Sequence, residues 1–114
     1  MKTLFRGASA ERLALKFLRR QGLAHIASNY RSRFGEIDLI MRDGETIVFV
    51  EVRYRRSSRY GGAAASIDRH KQRKLIRTAL LWLQAHAPNA VSRFDVVAIE
   101  AEQRINWIPR AFTA

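Results

Sequence analysis

The spacing of hydrophobic positions changes several times along the chain, and each change predicts an element. Apolar residues recur every three or four positions over residues 8–21, which predicts a first helix, with Ser9 as candidate N-cap and Gly22 at the C-terminal cap. Residues 25–31 then predict a short strand, and residues 32–35 the turn that follows it. The chain therefore begins with a helix and continues into a sheet.

Two β-rich runs, residues 36–42 and 45–54, flank the dipeptide Asp43-Gly44. Aspartate and glycine both tolerate positive φ, so this dipeptide predicts a tight two-residue turn. The two runs are therefore expected to pair as an antiparallel hairpin, which is the strongest local signal in the sequence.

Pairing across this hairpin would bring acidic side chains together. A two-residue turn at positions 43 and 44 places Glu36 opposite Glu51 and Asp38 opposite Phe49. Side chains alternate along a strand, so the three acids project from one face together with Arg53. On that face Asp38 and Glu51 would be diagonal neighbours. Such neighbours have Cβ atoms about 7 Å apart or less, close enough for two carboxylates to hold one ion. Two such charges about 5 Å apart repel by roughly 3 kcal/mol at an effective dielectric of 20. The face therefore predicts a bound cation or, alternatively, solvated acids that pair with arginines.

The second half of the chain holds one more helix and two more strands. Residues 57–65 predict a glycine-bearing loop, and residues 93–100 and 104–108 predict closing strands joined by a turn at 101–103. The resulting order is α-β-β-β-α-β-β, and the length fits a single domain over residues 1–114. The helix before the closing strands is predicted over residues 67–86, with an apolar stripe of Leu75, Ala79, Leu80 and Leu83.

The charge balance points to a polyanionic partner. Lysine and arginine number 21 against 10 acids, for a formal charge of +11, so nucleic acid is the first partner to consider. The basic residues concentrate between positions 53 and 77, where Asp68 is the single acid. Such a run predicts contacts with a phosphate backbone, and a solvated basic helix face is the alternative. The run consists of Arg53, Arg55, Arg56, Arg59, Arg69, Lys71, Arg73, Lys74 and Arg77.

Several function classes are disfavoured by what the sequence lacks. There are no cysteines, which excludes disulfides and thiolate metal sites, and the three histidines are not spaced as metal ligands. The longest apolar runs fall far below the roughly 20 residues of a membrane helix, and the N-terminus has no apolar signal stretch. We therefore expect a cytoplasmic protein with no membrane partner.

Two motifs carry a family resemblance. Residues 35–40 (GEIDLI) and 50–55 (VEVRYR) look like the signature of the YraN-type protein family, whose members resemble archaeal Holliday junction resolvases and other PD-(D/E)xK nucleases. The resemblance implies a restriction-endonuclease-like α/β fold of three layers, with a central mixed β-sheet flanked by helices. It covers nearly the whole chain, with further matches at residues 7–11, 29–31, 71–72 and 107–108.

The resemblance also implies a metal site for Mg²⁺ or Mn²⁺. It assigns the ion to Asp38 and Glu51, completed by the carbonyl of Val52, and it places Glu11 of the first helix within reach of the metal. The catalytic lysine of the superfamily falls on Arg53. Arginine stays protonated, so it can orient water or stabilise a charged transition state but cannot act as a general base. Glu36 is expected to support the site, as a further ligand or by pairing with Arg53.

The resulting hypothesis is a metal-dependent nuclease that acts on DNA rather than RNA, on branched or junction DNA in particular, with Asp38, Glu51 and Arg53 as catalytic residues. By analogy with resolvases we expect a homodimer. Two alternatives stay open: a non-catalytic nucleic-acid-binding module with a nuclease-like fold, and an adaptor whose basic surface meets an acidic protein. The residues expected to bind nucleic acid are Arg55, Arg56, Arg59, Lys71, Gln72, Arg73 and Lys74.

Overall fold

Strands that are consecutive in the chain are also neighbours in one five-stranded sheet of order β1-β2-β3-β4-β5. The computed structural model describes residues 2–54, 67–100 and 104–114, with side chains from Ser9 onward. The order α-β-β-β-α-β-β is confirmed over these residues. The elements are α1 (Lys2–Arg20), β1 (Ala24–Ser32), β2 (Gly35–Asp43), β3 (Thr46–Tyr54), α2 (Arg69–His86), β4 (Ser92–Glu100) and β5 (Arg104–Phe112).

The sheet is mixed because one of its connections carries a helix. β1, β2 and β3 pair antiparallel, and so do β4 and β5, whereas β3 and β4 run parallel. Parallel neighbours need a crossover connection, which α2 supplies between these two strands. The predicted mixed sheet is therefore confirmed.

The two helices bury opposite faces of the sheet, which gives three layers. Along β3 the side chains alternate between faces, so that Val48 and Val50 belong to one core and Ile47 and Phe49 to the other. The first core packs under α1 through Ala10, Ala14 and Leu18, and the second under α2 through Leu75, Ala79 and Trp82. Both stripes have the three-to-four-residue spacing of an amphipathic helix.

The predicted register of the β2–β3 hairpin is wrong. Asp43 pairs with Thr46 and Leu39 with Val50, so the turn consists of Gly44 and Glu45, one residue further along than expected. Gly44 has a φ of +60°, and a turn with glycine at its first central position is one of the two favoured hairpin types. The pairing moves by two positions, so every side chain keeps its predicted face.

Element ends differ from the sequence prediction by more than one residue in three places. α1 begins at Lys2, so Ser9 lies inside the helix and is not its N-cap. The N-cap of α2 is Asp68, whose carboxylate accepts a hydrogen bond from the Lys71 amide at 2.8 Å, and the helix therefore begins at Arg69. β5 runs on to Phe112, which is compatible with Pro109 because β5 is an edge strand.

Two predicted connections, residues 57–65 and residues 101–103, lie outside the described residues. Gly22, the second residue after α1, has a φ of +97°, which confirms the predicted C-terminal cap. Within the described ranges, neither helix is long and apolar enough to cross a membrane.

Candidate functional site

Asp38 and Glu51 lie where β2 and β3 separate. The last residue pair between these strands is Leu39 with Val50, and beyond it, among the described residues, β2 pairs only with β1 and β3 only with β4. The Val52 amide donates a hydrogen bond of 2.8 Å to Oδ2 of Asp38. The Asp38 carboxylate is therefore anchored in the gap between the strands, next to Glu51.

The two carboxyl groups interact strongly because they are shielded from water. Glu51 is only 6% exposed. Burial, the charge of Glu51 and more weakly the charge of Glu11 together raise the pKa of the Asp38 carboxyl to about 8, and the hydrogen bond from Val52 partly opposes this rise. At neutral pH the pair therefore retains a proton unless a cation compensates the second negative charge.

Two side chains bring positive charge to Glu51. Nε of Arg53 lies 3.4 Å and Nζ of Lys71 3.7 Å from Oε2 of Glu51. The Arg53 Nε is buried and, among the described residues, has no hydrogen-bond partner. Lys71 reaches the site because the Asp68 cap fixes the first turn of α2 there. Lys71 was predicted to bind phosphate as part of the basic run. Its contact with Glu51 becomes visible only when α2 is packed against the sheet.

Glu11 approaches the acidic pair from α1. Its Oε1 accepts a hydrogen bond of 3.0 Å from Nδ2 of Asn29 on β1. Asn29 lies between the residues of β1 that pair with Ile37 and Leu39, which places it beside Asp38, and it has a left-handed φ of 53°. In the described part of the chain no three acidic or histidine side chains form a metal-binding group. The carboxylates that lie together are therefore the pair Asp38 and Glu51, with Glu11 further away.

Glu36 does not take part in this cluster. Its Oε1 accepts a hydrogen bond of 2.7 Å from Nε of Arg31 on the neighbouring strand β1. Register explains this contact, because Arg31 and Glu36 are directly paired in the β1–β2 ladder. The structure thus pairs Glu36 with Arg31 and not with Arg53, which was one of its two expected supporting roles.

The residues expected to bind nucleic acid are distributed over several places. Arg55, Arg56 and Arg59 lie outside the described residues. Gln72 donates a hydrogen bond of 3.1 Å to the Ile67 carbonyl and so braces the start of α2. Arg73 and Lys74 line a cleft between α2 and the β1–β2 turn, whose walls also include Arg33, Phe34, His70 and Arg77. Arg33 and Phe34 were not predicted to belong here, because only the tertiary contact between the turn and α2 brings them to the basic run.

The fold and site together define a small α/β protein with a buried carboxylate pair at the opening of a mixed sheet and a basic helix beside it. Residues 10–99 match the family described as "Uncharacterised protein family UPF0102", and the chain belongs to this family. The chain is 53% identical to a UPF0102 protein of Nitrosomonas europaea over 94% of its own length and 92% of the relative's. It is also 56% identical to one of Alkalilimnicola ehrlichii, over 95% and 86% of the two chains. The YraN-type resemblance is thereby confirmed.

Proposed function

We propose that this protein is a metal-dependent nuclease that acts on DNA, with Asp38 and Glu51 holding a Mg²⁺ or Mn²⁺ ion. The observation that carries the proposal is the pair of shielded carboxyl groups, in which burial and the neighbouring acid raise the pKa of Asp38 to about 8. Groups with strongly shifted pKa values that share a site are characteristic of functional centres. A binding cation would remove the repulsion that the pair otherwise contains.

The donor set fits a hard divalent cation. Mg²⁺ and Mn²⁺ prefer oxygen ligands, and Mg²⁺ is commonly held by one or two carboxylates together with water and substrate phosphates. Asp38 and Glu51 supply the carboxylates, Val52 would add its carbonyl oxygen, and Glu11 would act from a greater distance. When bound, such an ion lowers the pKa of a coordinated water and polarises the scissile phosphate.

The protein's own cations have distinct roles in this proposal. Arg53 stays protonated and would orient the scissile phosphate or stabilise the charge that develops on it. Lys71 approaches from α2, and its ammonium lies 3.7 Å from Oε2 of Glu51. We assign Lys71 to positioning the Glu51 carboxylate for the metal. The gap between β2 and β3 keeps these groups together without covering them with a strand.

A second candidate function, a nucleic-acid-binding module without catalysis, is favoured by one feature of the same site. Arg53 and Lys71 already bring two positive charges to Glu51, so part of the acidic charge is balanced without a metal ion. In that case the cluster would serve the structure, and the basic surface would bind DNA. The two functions differ in whether DNA is cut.

Cleavage of labelled DNA tests the proposal. We expect the full chain to cut a four-way junction, a flap or a linear duplex in Mg²⁺ or Mn²⁺ and not in EDTA, and Glu51→Gln to cut at least 100-fold more slowly, as expected for loss of a metal ligand. Glu45→Gln, in the exposed hairpin turn, is the matched control and should cut like wild type. Single-stranded RNA in parallel tests the preference for DNA. Binding without cutting in either metal would support the module instead.

The oligomeric state is part of the same proposal. A four-way junction offers two symmetric cleavage points, so paired cuts would need two copies of the site, and a homodimer supplies them. Light scattering of the protein with and without junction DNA should give the mass of two chains, at least on the junction. One chain per junction would contradict this part of the proposal.

Arg53→Lys should preserve most of the cleavage activity. Nε of Arg53 lies 3.4 Å from Oε2 of Glu51 and forms no hydrogen bond among the described residues, so the flexible ammonium of lysine can replace its charge. We expect a change in rate below tenfold, which corresponds to less than about 1.4 kcal/mol, and a larger loss for Arg53→Met, which removes the charge. Single-turnover rates in Mn²⁺ measure both variants. Equal rates for Lys and Met at this position would show that the charge of Arg53 has no role.

A further inference from the structure

The cleft between α2 and the β1–β2 turn concentrates positive charge without a compensating acid among its described lining residues. His70, Arg73, Lys74 and Arg77 follow the spacing of a single helix face, which extends over about 10 Å at 1.5 Å per residue. Arg33 faces them from the turn. Cations assembled in this way repel one another, so the cleft favours an anionic occupant, as the carboxylate pair favours a cation.

The walls of the cleft are held in place by contacts between the turn and α2. The hydroxyls of Ser32 and Thr78 form a hydrogen bond of 2.8 Å, and the Ser32 hydroxyl also accepts one of 3.0 Å from the Phe34 amide. Gly35 lies next to α2, where a Cβ would be in ordinary van der Waals contact, at 3.5 Å, with Cβ of Lys74. The cleft is therefore preformed, which lowers the cost of binding.

Phe34 positions two of the cations. The guanidinium carbons of Arg33 and Arg77 lie 4.9 Å and 5.3 Å from the centre of its ring, within the range of cation–π attraction. This attraction offsets part of the repulsion between the two arginines and keeps both at one end of the cleft. Their guanidinium groups can then bind phosphate oxygens.

The cleft adjoins the proposed catalytic site. Lys71 of α2 contacts Glu51 through its ammonium. His70, which lines the cleft, directly precedes Lys71 on the same helix, so the cleft begins next to the residue that contacts the acidic pair. A linear polyanion that crosses the acidic pair would meet Lys74 and then Arg77 as it follows α2. A backbone with regularly spaced phosphates has the length and the charge for this path, which a single small anion lacks.

We propose that this cleft binds consecutive phosphates of the DNA strand that enters the Asp38–Glu51 site, with Arg33, Arg77 and Phe34 as its distal clamp. The proposal rests on the proposed function for the direction of the strand, and it adds the β1–β2 turn as a DNA-contacting element. Its test is binding in EDTA, where cleavage is absent, so that binding and cleavage can fail separately.

Fluorescence anisotropy with labelled junction and linear DNA measures this binding. The cleft double variant, Arg33→Gln combined with Arg77→Gln, should raise Kd for DNA at least tenfold. It should also reduce the magnitude of the slope of the logarithm of the binding constant against the logarithm of the salt concentration by about 2, as expected when two phosphate contacts are lost. Both side chains are exposed, so the fold should tolerate the change. Arg19→Gln with Arg20→Gln, exposed at the end of α1, removes the same charge elsewhere and should change Kd less than threefold.

Phe34→Leu separates the clamp from general attraction by charge. It leaves the charge of the cleft unchanged and removes only the ring that positions Arg33 and Arg77, so we expect Kd to rise about threefold to tenfold, as cation–π contacts of about 1 kcal/mol would give. An equal loss of DNA affinity in the α1 double variant and the cleft double variant would overturn the proposal in favour of non-specific attraction by net charge. Displacement of DNA by millimolar inorganic phosphate, at constant ionic strength, would overturn it in favour of a small-anion site. Normal cleft-dependent binding without cleavage would leave the clamp standing and refute the nuclease.

Discussion

Asp38→Asn will stabilise the metal-free protein and at the same time abolish cleavage. The unfolded chain releases the Asp38 proton near pH 4, whereas the folded protein retains it up to a pKa of about 8. Between these values the folded state binds more protons than the unfolded state, so its stability falls as pH rises, and the full penalty is present above about pH 8. Asparagine carries no charge at any of these pH values, and its side-chain oxygen can still accept the hydrogen bond from Val52.

The stability difference between the variant and wild type should therefore grow from pH 5 to pH 9 and then level off. At pH 9 we expect a gain on the order of 2 kcal/mol, the scale of the repulsion between two carboxylates a few ångströms apart. Thermal or denaturant unfolding in EDTA at several pH values measures it. Glu45→Gln is again the matched control, because an exposed acid should show no such trend.

Divalent cations should make wild type more stable than Asp38→Asn, the reverse of the order expected in EDTA. Mg²⁺ or Mn²⁺ that binds only the folded state adds stability by mass action, and it favours the deprotonated form of Asp38. Millimolar Mn²⁺ at pH 8 should therefore raise the Tm of wild type but not that of Asp38→Asn. Cleavage by the variant should fall at least 100-fold. A variant that is no more stable than wild type at pH 9 in EDTA would contradict the buried, repelling pair from which the metal site is inferred.

Element types and the faces of the strand residues were predictable because they depend on local chemistry, whereas the predicted stripe of α2 wrongly included Leu80, which is 51% exposed. The alternation along residues 45–54 determines which side chains of β3 share a face, and this outcome is insensitive to a shift of two residues in the register. Asp38, Glu51 and Arg53 therefore belong together in the prediction and in the structure, although the turn was placed one residue too early. Two adjacent dipeptides, Asp43-Gly44 and Gly44-Glu45, compete for this turn, and the sequence pattern favoured the one that the fold does not use.

Contacts between elements distant in sequence were not predictable in the same way. The ion pair of Lys71 with Glu51 depends on how the first turn of α2 meets the sheet, and the cleft requires the β1–β2 turn to pack against that helix. Periodicity identifies the buried face of a helix but not the strand residues that its exposed ends approach. The same limit applies to Asn29, whose left-handed backbone and contact with Glu11 leave no pattern in a single sequence.

Asp95 illustrates this limit most clearly, because nothing in the alternation of β4 predicts a buried acid. It is 1% exposed, and its carboxylate accepts hydrogen bonds from Arg93, from the Trp107 indole at 3.0 Å and from the Arg110 amide at 3.0 Å. Arg93 in turn contacts Asp43 at 2.9 Å. One carboxylate thus links β4 to the edge strand β5 and, through Arg93, to the end of β2.

Asp95→Ala should therefore lower the free energy of unfolding by about 3–5 kcal/mol. Removing Asp95 leaves the partly buried charge of Arg93 uncompensated, and it also leaves the Trp107 indole and the Arg110 amide without their acceptor. Of the 5–15 kcal/mol that stabilise a typical domain, this is a large share, and Tm should fall by more than about 10 °C. Asp95→Asn keeps an acceptor for the Trp107 indole or the Arg110 amide and should lose less. Asp43→Ala removes the exposed partner of Arg93 and should cost below about 1 kcal/mol. Denaturant unfolding of the three variants in one buffer compares them directly. A cost for Asp95→Ala no greater than that of Asp43→Ala would mean that β5 is held by its strand pairing alone.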